Sequence, residues 1–371
     1  HDDFRYLEMK NDQEKLYHHR WGSNNSYAAS VGMDYSWHAN QAQENGEPGT
    51  IWLENARAYG RLKDGINYDD AEVVGFNPCV EQSLHNAEMC CLVETFPAKH
   101  EDYEDYVKTL KCAYLYGKTV TLVNTHWPET NAKMLKNRRI GLSQSGIVQA
   151  FKKHGRRNMM EWCDNAYSHV RDLDQEYSNW LCVPRSIKMT SIKPSGTVSL
   201  LNGSTPGIHF PENEYYIRRI RFSSGSPILD TLREAGHHIE DDAYSPNTSV
   251  VEFPVKEEHF TKGKKDVSMW EQLEIAAQYQ YYWADNAVSV TVTFNEKEAA
   301  QINSALEMYE TRLKAVSFLK VSDNGYKQAP YEPITKEQYE KMSSKITPVT
   351  RIHTEEAGVG TKYCDGASCE I

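Results

Sequence analysis

The sequence has no hydrophobic run that approaches the roughly 18 residues of a membrane-spanning helix, and no signal-peptide pattern opens it. Its 8 cysteines in 371 residues are sparse for a secreted disulfide scaffold. Positive charge is not in excess either, because 41 Lys and Arg face 52 Asp and Glu, a net charge of −11. These absences favour a cytoplasmic protein that binds neither nucleic acid nor membranes.

The sequence also lacks repeats, low-complexity tracts and the G-x-x-x-x-G-K-[ST] and G-x-G-x-x-G phosphate-binding patterns. With 39% hydrophobic and 25% charged residues, it has the composition of a globular protein. The length suits one large domain with a small appendage, or two domains. Because it begins at His1 without a methionine, we expect a later part of a longer protein, or one piece of a split one.

Hydrophobic periodicity predicts alternating helices and strands, which is typical of an α/β fold with mostly parallel strands. The expected helices cover about 101–116, 159–180, 268–283 and 295–313, and the expected strands cover 119–123, 186–192, 288–294 and 315–319. Asn295 with Glu298, and Thr335 with Gln338, have the spacing of capping boxes. We therefore predict a folded domain over 1–345 and a mobile, polar tail over 346–371.

The stretch Gly75-Phe-Asn-Pro-Cys-Val-Glu81 places Cys79 two residues before Glu81. In an extended backbone these two side chains share a face, so a thiol and a carboxylate would meet one small substrate. Such a pair suits radical or proton-transfer chemistry. Taken alone, a buried structural cysteine beside a solvated glutamate is the better interpretation.

Two further cysteine pairs attract attention. Cys90 and Cys91 lie in a short strand-like run, where only one of them can face a given site. Cys364 and Cys369 lie on the Gly-rich tail, where a flexible dithiol is well placed for disulfide exchange. Zinc binding by the tail is the weaker alternative, because only His353 is nearby, and we expect no metal site.

A hydroxyl-rich turn follows Lys193 and offers backbone N–H groups, hydroxyls and one positive charge for binding phosphate. Its residues are Pro194, Ser195, Gly196, Thr197, Val198 and Ser199. A second turn, Gly203-Ser-Thr-Pro-Gly207, follows. The pattern is weak alone, since most turns of this composition bind nothing.

In this order, the motifs resemble the class II, adenosylcobalamin-dependent ribonucleotide reductases, in particular the monomeric ribonucleoside-triphosphate reductases. The resemblance runs from about residue 20 to the end. Besides the motifs above, it rests on 23–26, 46–49, 137–141, 205–209, 285–292 and 328–335.

The resemblance implies the C-terminal portion of a ten-stranded α/β barrel whose central finger loop carries the radical cysteine. Cys79 would be the thiyl radical that takes the ribose 3′ hydrogen, after adenosylcobalamin supplies the initiating radical. Glu81 would be the general base on the 3′ hydroxyl, and Asn77 would hold the substrate. Cys90 would be one of the two thiols that reduce the 2′ carbon and end as a disulfide.

It further implies that Cys364 and Cys369 re-reduce that disulfide and pass the oxidation to thioredoxin. The turn Pro194–Ser199 would bind the phosphates of a ribonucleotide, expected to be a triphosphate. The second reducing cysteine and the effector site would belong to an N-terminal half, and Cys91 is an unsuitable substitute. We therefore expect activity only with that half, which would supply deoxyribonucleotides for DNA synthesis.

Two alternatives stay open at this stage. One is a class I large subunit that receives its radical from a separate protein through paired tyrosines, for which Tyr281 and Tyr282 are candidates that we interpret as packing residues. The other is a non-catalytic fragment that binds nucleotides or another chain. An intact Asn77, Cys79 and Glu81 weighs against the second.

Overall fold

The structure, a computed structural model, describes residues 3–8, 12, 14, 24–243, 245–321 and 327–350. The described residues form two compact units. The first unit comprises those up to 210 together with 259–321, and the second comprises 211–258 and 327–350. The predicted division at 345/346 stays a prediction, because the tail from 351 onward lies outside the described residues.

The first unit contains most of the helices. They are α1 (Phe4–Leu7), α2 (Ser36–Asn45), α3 (Leu53–Ala58), α4 (Tyr103–Val120), α5 (Pro128–Asn137), α6 (Ile147–His154), α7 (Arg156–Leu181), α9 (Met269–Tyr282), α10 (Glu296–Ala299) and α11 (Ile302–Tyr309). Asp102 caps α4 by accepting a hydrogen bond from the Asp105 N–H, and Ser268 caps α9 in the same way through Glu271.

Short strands of the first unit carry the site described below. They are β1 (Ser26–Ala28), β2 (Gly49–Ile51), β3 (Gly75–Phe76), β4 (Ser83–Leu84), β5 (Leu92–Thr95), β6 (Gly141–Gln144), β10 (Thr291–Phe294) and β11 (Ala315–Lys320). One sheet has the order β1-β2-β11-β10, in which only β2 and β11 are antiparallel. β5 and β6 pair in parallel, and β3 and β4 form an antiparallel hairpin.

Two single parallel bridges extend this framework, one between Leu142 and Thr190 and one between Ile192 and Val288. The alternation of helices with mainly parallel strands confirms the α/β class for this unit. Closure into a ten-stranded barrel stays a prediction.

The hydrophobic core of the first unit lies between these strands and the long helices. Helix α7 packs against α4, α6 and α9. The largest fully buried apolar side chains of the unit are Trp52, Trp283, Tyr35, Tyr106, Tyr114, Tyr177, Tyr279 and Phe294. Burying large aromatic rings is the main source of stability in such a core.

The second unit is built differently. Its antiparallel sheet has the order β12-β7-β9-β8, made of β7 (Tyr215–Ser223), β8 (Ile239–Asp241), β9 (Thr248–Lys256) and β12 (Tyr331–Pro333). Helices α8 (Ile228–Glu234) and α12 (Lys336–Ser343) accompany the sheet. Leu229, Leu232 and Val251 form its small buried core.

The predicted helices at 101–116, 159–180 and 268–283 are confirmed as α4, α7 and α9, and both capping boxes are present. The strand predicted at 119–123 is wrong, because α4 continues to Val120 and a turn follows. The helix expected over 295–313 is divided into α10 and α11. The strand expected over 186–192 is reduced to its two bridges, and that over 288–294 to a bridge at Val288 followed by β10. None of the described helices combines the length and hydrophobicity needed to cross a membrane.

Candidate active site

The loop between β3 and β4 presents Cys79 at its tip. It is a tight turn, in which the Val80 N–H donates to the Asn77 carbonyl at 2.9 Å. The Asn77 side chain closes the loop by accepting from the Gln82 N–H at 3.0 Å. The expectation of an extended backbone from Cys79 to Glu81 is therefore wrong, and the turn brings the two residues together instead.

Val80 has a φ of +66°, which is unusual for a β-branched residue. A side chain held in this left-handed region costs roughly 1–3 kcal/mol, and such residues cluster at functional sites. The strain indicates that the surrounding contacts, and not local preference, hold the turn in this shape.

Glu81 is fully buried beneath the turn. Its Oε1 atom lies 3.1 Å from the Lys193 ammonium nitrogen, and the Ala287 N–H donates to its backbone carbonyl at 3.1 Å. Its Oε2 atom is buried and has no hydrogen-bond partner among the described residues. A buried carboxylate oxygen without a donor is costly, so this atom is available to accept a proton or a hydrogen bond from a bound molecule.

Cys79 and Cys90 lie close enough to Glu81 to feel its charge. Burial raises the pKa of Cys79, the Glu81 charge raises it further, and Lys193 counteracts both. Cys90 is an exposed residue. The protein atoms packed around its sulfur still raise the pKa of Cys90 to about 11, and a hydrogen bond with the Asn77 side chain lowers it in part. Both groups are therefore thiols at neutral pH, which suits hydrogen-atom and proton donation better than nucleophilic attack.

Cys91 faces the other way, as the sequence predicts. It is buried, and its thiol lies 3.6 Å from the Gly117 carbonyl, which accepts its hydrogen bond. Gln82 fixes the backbone between the two cysteines and the loop, because its amide donates to the Cys91 carbonyl at 3.1 Å and accepts from the Cys91 N–H at 3.3 Å. Cys90 lies close enough to Cys79 and Asn77 to be influenced by both, and Cys91 does not.

A cavity of about 130 Å³ opens beside Cys79 and Val80. Its wall includes Pro194 and the hydroxyl-bearing residues Ser26, Thr50, Ser289, Thr291 and Ser317. Glu81 and Cys90 are not part of this wall. Cys79 is therefore close both to the Glu81 carboxylate and to a cavity that hydroxyl groups line.

The predicted phosphate turn begins at Lys193, whose carbonyl accepts from the Ser195 N–H at 2.9 Å. The Ser199 hydroxyl donates to the Ser195 carbonyl and closes the turn. Within the described part of the chain, the backbone N–H groups at 196–198 donate to no backbone or side-chain group. A turn with several such donors is a suitable anion site.

The second turn touches the first at Gly207. This glycine has a φ of +50°, and a Cβ atom there would collide with the Lys193 carbonyl oxygen. Its N–H donates to the Ser145 hydroxyl at 2.8 Å. Only glycine permits this approach, so the two turns form one surface next to β6.

Known proteins are similar to this chain in sequence and in fold. The adenosylcobalamin-dependent ribonucleoside-triphosphate reductase of Euglena gracilis is 47% identical over 358 residues, 94% of this chain and 49% of that protein. A probable enzyme of the same name from Dictyostelium discoideum is 46% identical over 376 residues, 99% of this chain and 50% of that protein. A crystal structure of a B12-dependent, class II ribonucleotide reductase superposes with a TM-score of 0.86 at 38% identity, covering 94% of this chain and 53% of that one.

The chain belongs to the class II ribonucleotide reductases. It spans about half the length of the curated relatives it matches. No protein-family model matches it.

The sequence reasoning missed one acidic residue of this candidate site, Glu94 on β5. Its Oε1 atom accepts from the Ser143 hydroxyl at 3.1 Å, and the Ser145 side chain lies near its carboxyl group. Burial raises its pKa to about 7, although the two serines and the Lys193 charge lower it in part. The sequence signal that could have identified Glu94 is a charged residue inside a short strand, between Val93 and Thr95.

A second missed feature is a buried charge cluster, which joins residues before and after the loop to two residues from later in the chain. It is formed by Asp70, His85, Glu88, Arg139 and Lys188. Arg139 donates to both Asp70 oxygens, at 2.7 and 2.9 Å, and to Glu88 at 3.0 Å. Lys188 lies 2.9 Å from Asp70. Burial opposes ionisation of Asp70, but Lys188, His85 and Arg139 outweigh it and hold its pKa well below the usual range.

This cluster anchors the loop through Ser83, whose hydroxyl oxygen lies 3.1 Å from the Lys188 nitrogen and 3.2 Å from Arg139. His85 contributes with a defined tautomer. Asn137 donates to its Nδ1 atom at 3.1 Å, which leaves Nε2 to donate to Asp70 at 2.7 Å. Ser83 and His85, which follow Glu81 in the sequence, are therefore held by a network of ion pairs and hydrogen bonds.

The sequence-predicted residues Asn77, Cys79, Glu81 and Cys90 are brought together, and Lys193 joins them through Glu81. We refer to these five as the thiol cluster. The tail cysteines Cys364 and Cys369 lie outside the described residues.

Proposed function

We propose that this chain provides the catalytic centre of an adenosylcobalamin-dependent ribonucleotide reductase that converts ribonucleoside triphosphates to 2′-deoxyribonucleotides. The observation that carries the proposal is the unpartnered Oε2 atom of Glu81, buried beside Cys79 and next to a second thiol, Cys90. The relatives' names support both the cofactor and the triphosphate substrates.

The chemistry assigns a role to each residue of the thiol cluster. A thiyl radical at Cys79 takes the 3′ hydrogen atom of the ribose, while Glu81 accepts the proton of the 3′ hydroxyl. The 2′ hydroxyl then leaves as water, after taking a proton from one of two reducing thiols. Two electrons pass from those thiols, which become a disulfide, and the hydrogen of the second thiol ends on the 2′ carbon. Glu81 returns its proton to the 3′ oxygen, and Cys79 returns a hydrogen atom to the 3′ carbon and is again a thiyl radical. Cys90 is one of the two, and Asn77, which contacts it, orients the substrate.

Lys193 supports this role of Glu81. Burial is the largest single effect and disfavours its ammonium charge. The charge and hydrogen bond of Glu81, together with Cys79 and Glu94, outweigh burial, so the pKa of Lys193 is raised above its ordinary value. The ammonium occupies Oε1 and leaves Oε2 for the substrate. Lys193 is therefore a positioning residue for the base.

The residues present fit the reactive part of adenosylcobalamin. The hydroxyl-lined cavity beside Cys79 offers polar partners for a ribose and a base without involving Glu81. When bound, the cofactor supplies the radical that removes the hydrogen atom from the Cys79 thiol. Ser26, Thr50, Thr291 and Ser317 would hold the part of the cofactor nearest to that thiol.

The substrate's phosphates are assigned to the turn Pro194–Ser199, where the N–H groups at 196–198 have no partner within the described chain. Phosphate oxygens accept strongly from such donors. The turn starts at Lys193, which also contacts Glu81, so one short segment relates the phosphate end of the substrate to its reacting ribose.

The chain would act together with a further segment, since it matches only about half of each relative. That segment would contribute the second reducing cysteine and the effector site. Cys91 is no substitute, because its buried thiol faces Gly117.

The test of the function is Cys79→Ser in the complete enzyme that contains this chain. We expect loss of deoxyribonucleotide formation and of hydrogen exchange between water and the cofactor's 5′ carbon, because serine cannot form the thiyl radical. Cys112→Ser, a change of an exposed cysteine on α4, is the matched control and should behave as wild type. Retained exchange in Cys79→Ser would disprove the assignment.

We also propose thioredoxin, or a similar dithiol protein, as the reductant, acting through Cys364 and Cys369. Changing both to serine should stop multiple turnovers with thioredoxin while preserving a single turnover. Activity with a small dithiol should also persist, because such a molecule reaches the active-site disulfide directly. Stoichiometric zinc that disappears in the double variant would contradict this role.

A further inference from the structure

Glu94 has no part in the chemistry above, yet Ser143 links it to the turn assigned to the substrate's phosphates, and Ser145, which contacts the second turn, lies near its carboxyl group. It lies directly opposite Ser143 in the parallel pairing of β5 with β6. The neighbouring Thr95 side chain turns the other way, towards the Tyr106 hydroxyl. The Glu94 carboxyl group therefore belongs to the face of β5 that carries the site.

Each serine passes the contact on to a different turn. The Ser143 hydroxyl donates to Glu94 and accepts from the Lys193 N–H at 2.9 Å, at the start of the first turn. The Ser145 hydroxyl accepts from the Gly207 N–H at 2.8 Å, at the end of the second turn, and lies near the same carboxyl group. A hydroxyl has a single hydrogen, so accepting from an N–H leaves that hydrogen free for Glu94.

The charge state of Glu94 therefore matters to the first turn. An ionised carboxylate accepts from the Ser143 hydroxyl, whereas a protonated one carries a hydrogen of its own that weakens this bond. The charged groups near it are Lys193, which favours ionisation, and Glu81, which opposes it. Tyr106 of α4 also lies near Glu94. Burial raises the pKa of the Tyr106 hydroxyl well above its ordinary value, so this side chain stays neutral.

We propose that Glu94 is a positioning residue for the substrate's phosphates and that its carboxyl group takes up a proton from solvent when they bind. The negative charge of several bound phosphates adds to the repulsion that Glu81 exerts on an ionised Glu94. A proton on Glu94 relieves both repulsions. Because its pKa lies near 7, the uptake falls within the physiological range. This inference rests on the proposed function.

The test compares ribonucleoside-triphosphate binding by the complete enzyme with that by Glu94→Gln between pH 6 and pH 8.5. Glutamine is neutral throughout and keeps an acceptor for one serine. Titration of the phosphates themselves affects both proteins equally, so the ratio of the two Kd values isolates Glu94. If binding raises the pKa of Glu94 by one unit, that ratio changes about tenfold across the range, with wild type weaker at high pH.

Calorimetry at pH 7 in two buffers of different ionisation enthalpy gives an independent readout. Wild type should take up a fraction of a proton on binding, and Glu94→Gln clearly less. Glu94→Asp, which retains a titrating carboxyl group, should keep the uptake, and Glu104→Gln on the exposed side of α4 should match wild type. A constant Kd ratio with equal uptake would overturn this inference alone. Absence of ribonucleotide binding at every pH would overturn it together with the proposed function.

Discussion

The thiol cluster and the buried charge cluster are neighbours in the chain, and both bury carboxylates beside cations. They differ in how completely these carboxylates are paired. In the charge cluster, Asp70 receives Arg139, Lys188 and His85, and both of its oxygens are occupied. In the thiol cluster, Glu81 receives Lys193 on one oxygen, and nothing in the described chain reaches the other.

This difference in pairing distinguishes the charge cluster, which stabilises the structure, from the thiol cluster, which is able to take part in a reaction. A saturated ion-pair network fixes positions and resists change, since any loss leaves a buried charge unpaired. A carboxylate with one occupied and one vacant oxygen is held in place and still able to take a proton. The loop needs both properties, and it has them two residues apart, at Glu81 and Ser83.

The strongest test of the proposed difference between the two clusters is Glu81→Gln in the complete enzyme. We expect deoxyribonucleotide formation to fall by roughly 10²–10⁴-fold, because the amide cannot accept the 3′ hydroxyl proton. Hydrogen exchange at the cofactor's 5′ carbon should stay largely intact, since Cys79 is unchanged. Equal loss of both activities, measured side by side, would argue against separate roles for the two residues.

Arg139→Met tests the saturated cluster. Removing the guanidinium leaves Asp70 and Glu88 without a main partner in the interior, so the free energy of unfolding should fall by about 3–5 kcal/mol. Denaturant unfolding of the complete enzyme measures it. Arg139→Lys, which keeps the charge but not the planar fork, should lose less. A loss below about 1 kcal/mol for methionine would mean that the cluster does not hold the loop.

Glu94 allows a test through pH. Its pKa rises on folding from 4.5 to about 7, so the folded chain binds more protons in that interval and its stability falls as the pH rises through it. The decline attributable to Glu94 amounts to about 3 kcal/mol at most, and it is complete above pH 7. Glu94→Gln should lack this part of the decline in unfolding curves recorded from pH 5 to pH 8. Parallel curves for the two proteins would contradict the shift.

The smallest effect is expected for an ion pair at the surface. Arg157 lies 3.2 Å from Glu161 on α7, and the Arg157 side chain is 91% exposed. Arg157→Gln should change the free energy of unfolding by no more than about 0.5 kcal/mol. A loss comparable to that of Arg139→Met would show that burial is not what distinguishes the clusters.

The sequence predicted secondary structure best where local signals were complete. Asn295 with Glu298 and Thr335 with Gln338 form capping boxes as expected, because this motif is satisfied within four residues. The run Thr119–Val123 suggested a strand from its β-branched residues, but α4 extends through Val120 and the chain then turns. The break between α10 and α11 had no comparable local signal.

For the site, residue types and spacing identified Asn77, Cys79, Glu81 and Cys90, but not the geometry that joins them. The turn at Val80 depends on contacts of Gln82 and Ala287 that no short-range pattern reveals. The pairing of Lys193 with Glu81 bridges 112 positions, and that of Arg139 with Asp70 bridges 69. Such long-range ion pairs arise from the tertiary fold, so the unaided sequence could not supply them.

The contact of Gly207 with the Lys193 carbonyl makes the phosphate turn a poor candidate for grafting. Copying residues 193–199 into another scaffold would transfer the sequence but not the conformation of the turn. That conformation depends on contacts with 203–207 and with Ser143 and Ser145. All three stretches would have to move together, with a glycine kept at the point of closest approach. The portable module is therefore a small piece of folded architecture and not a peptide.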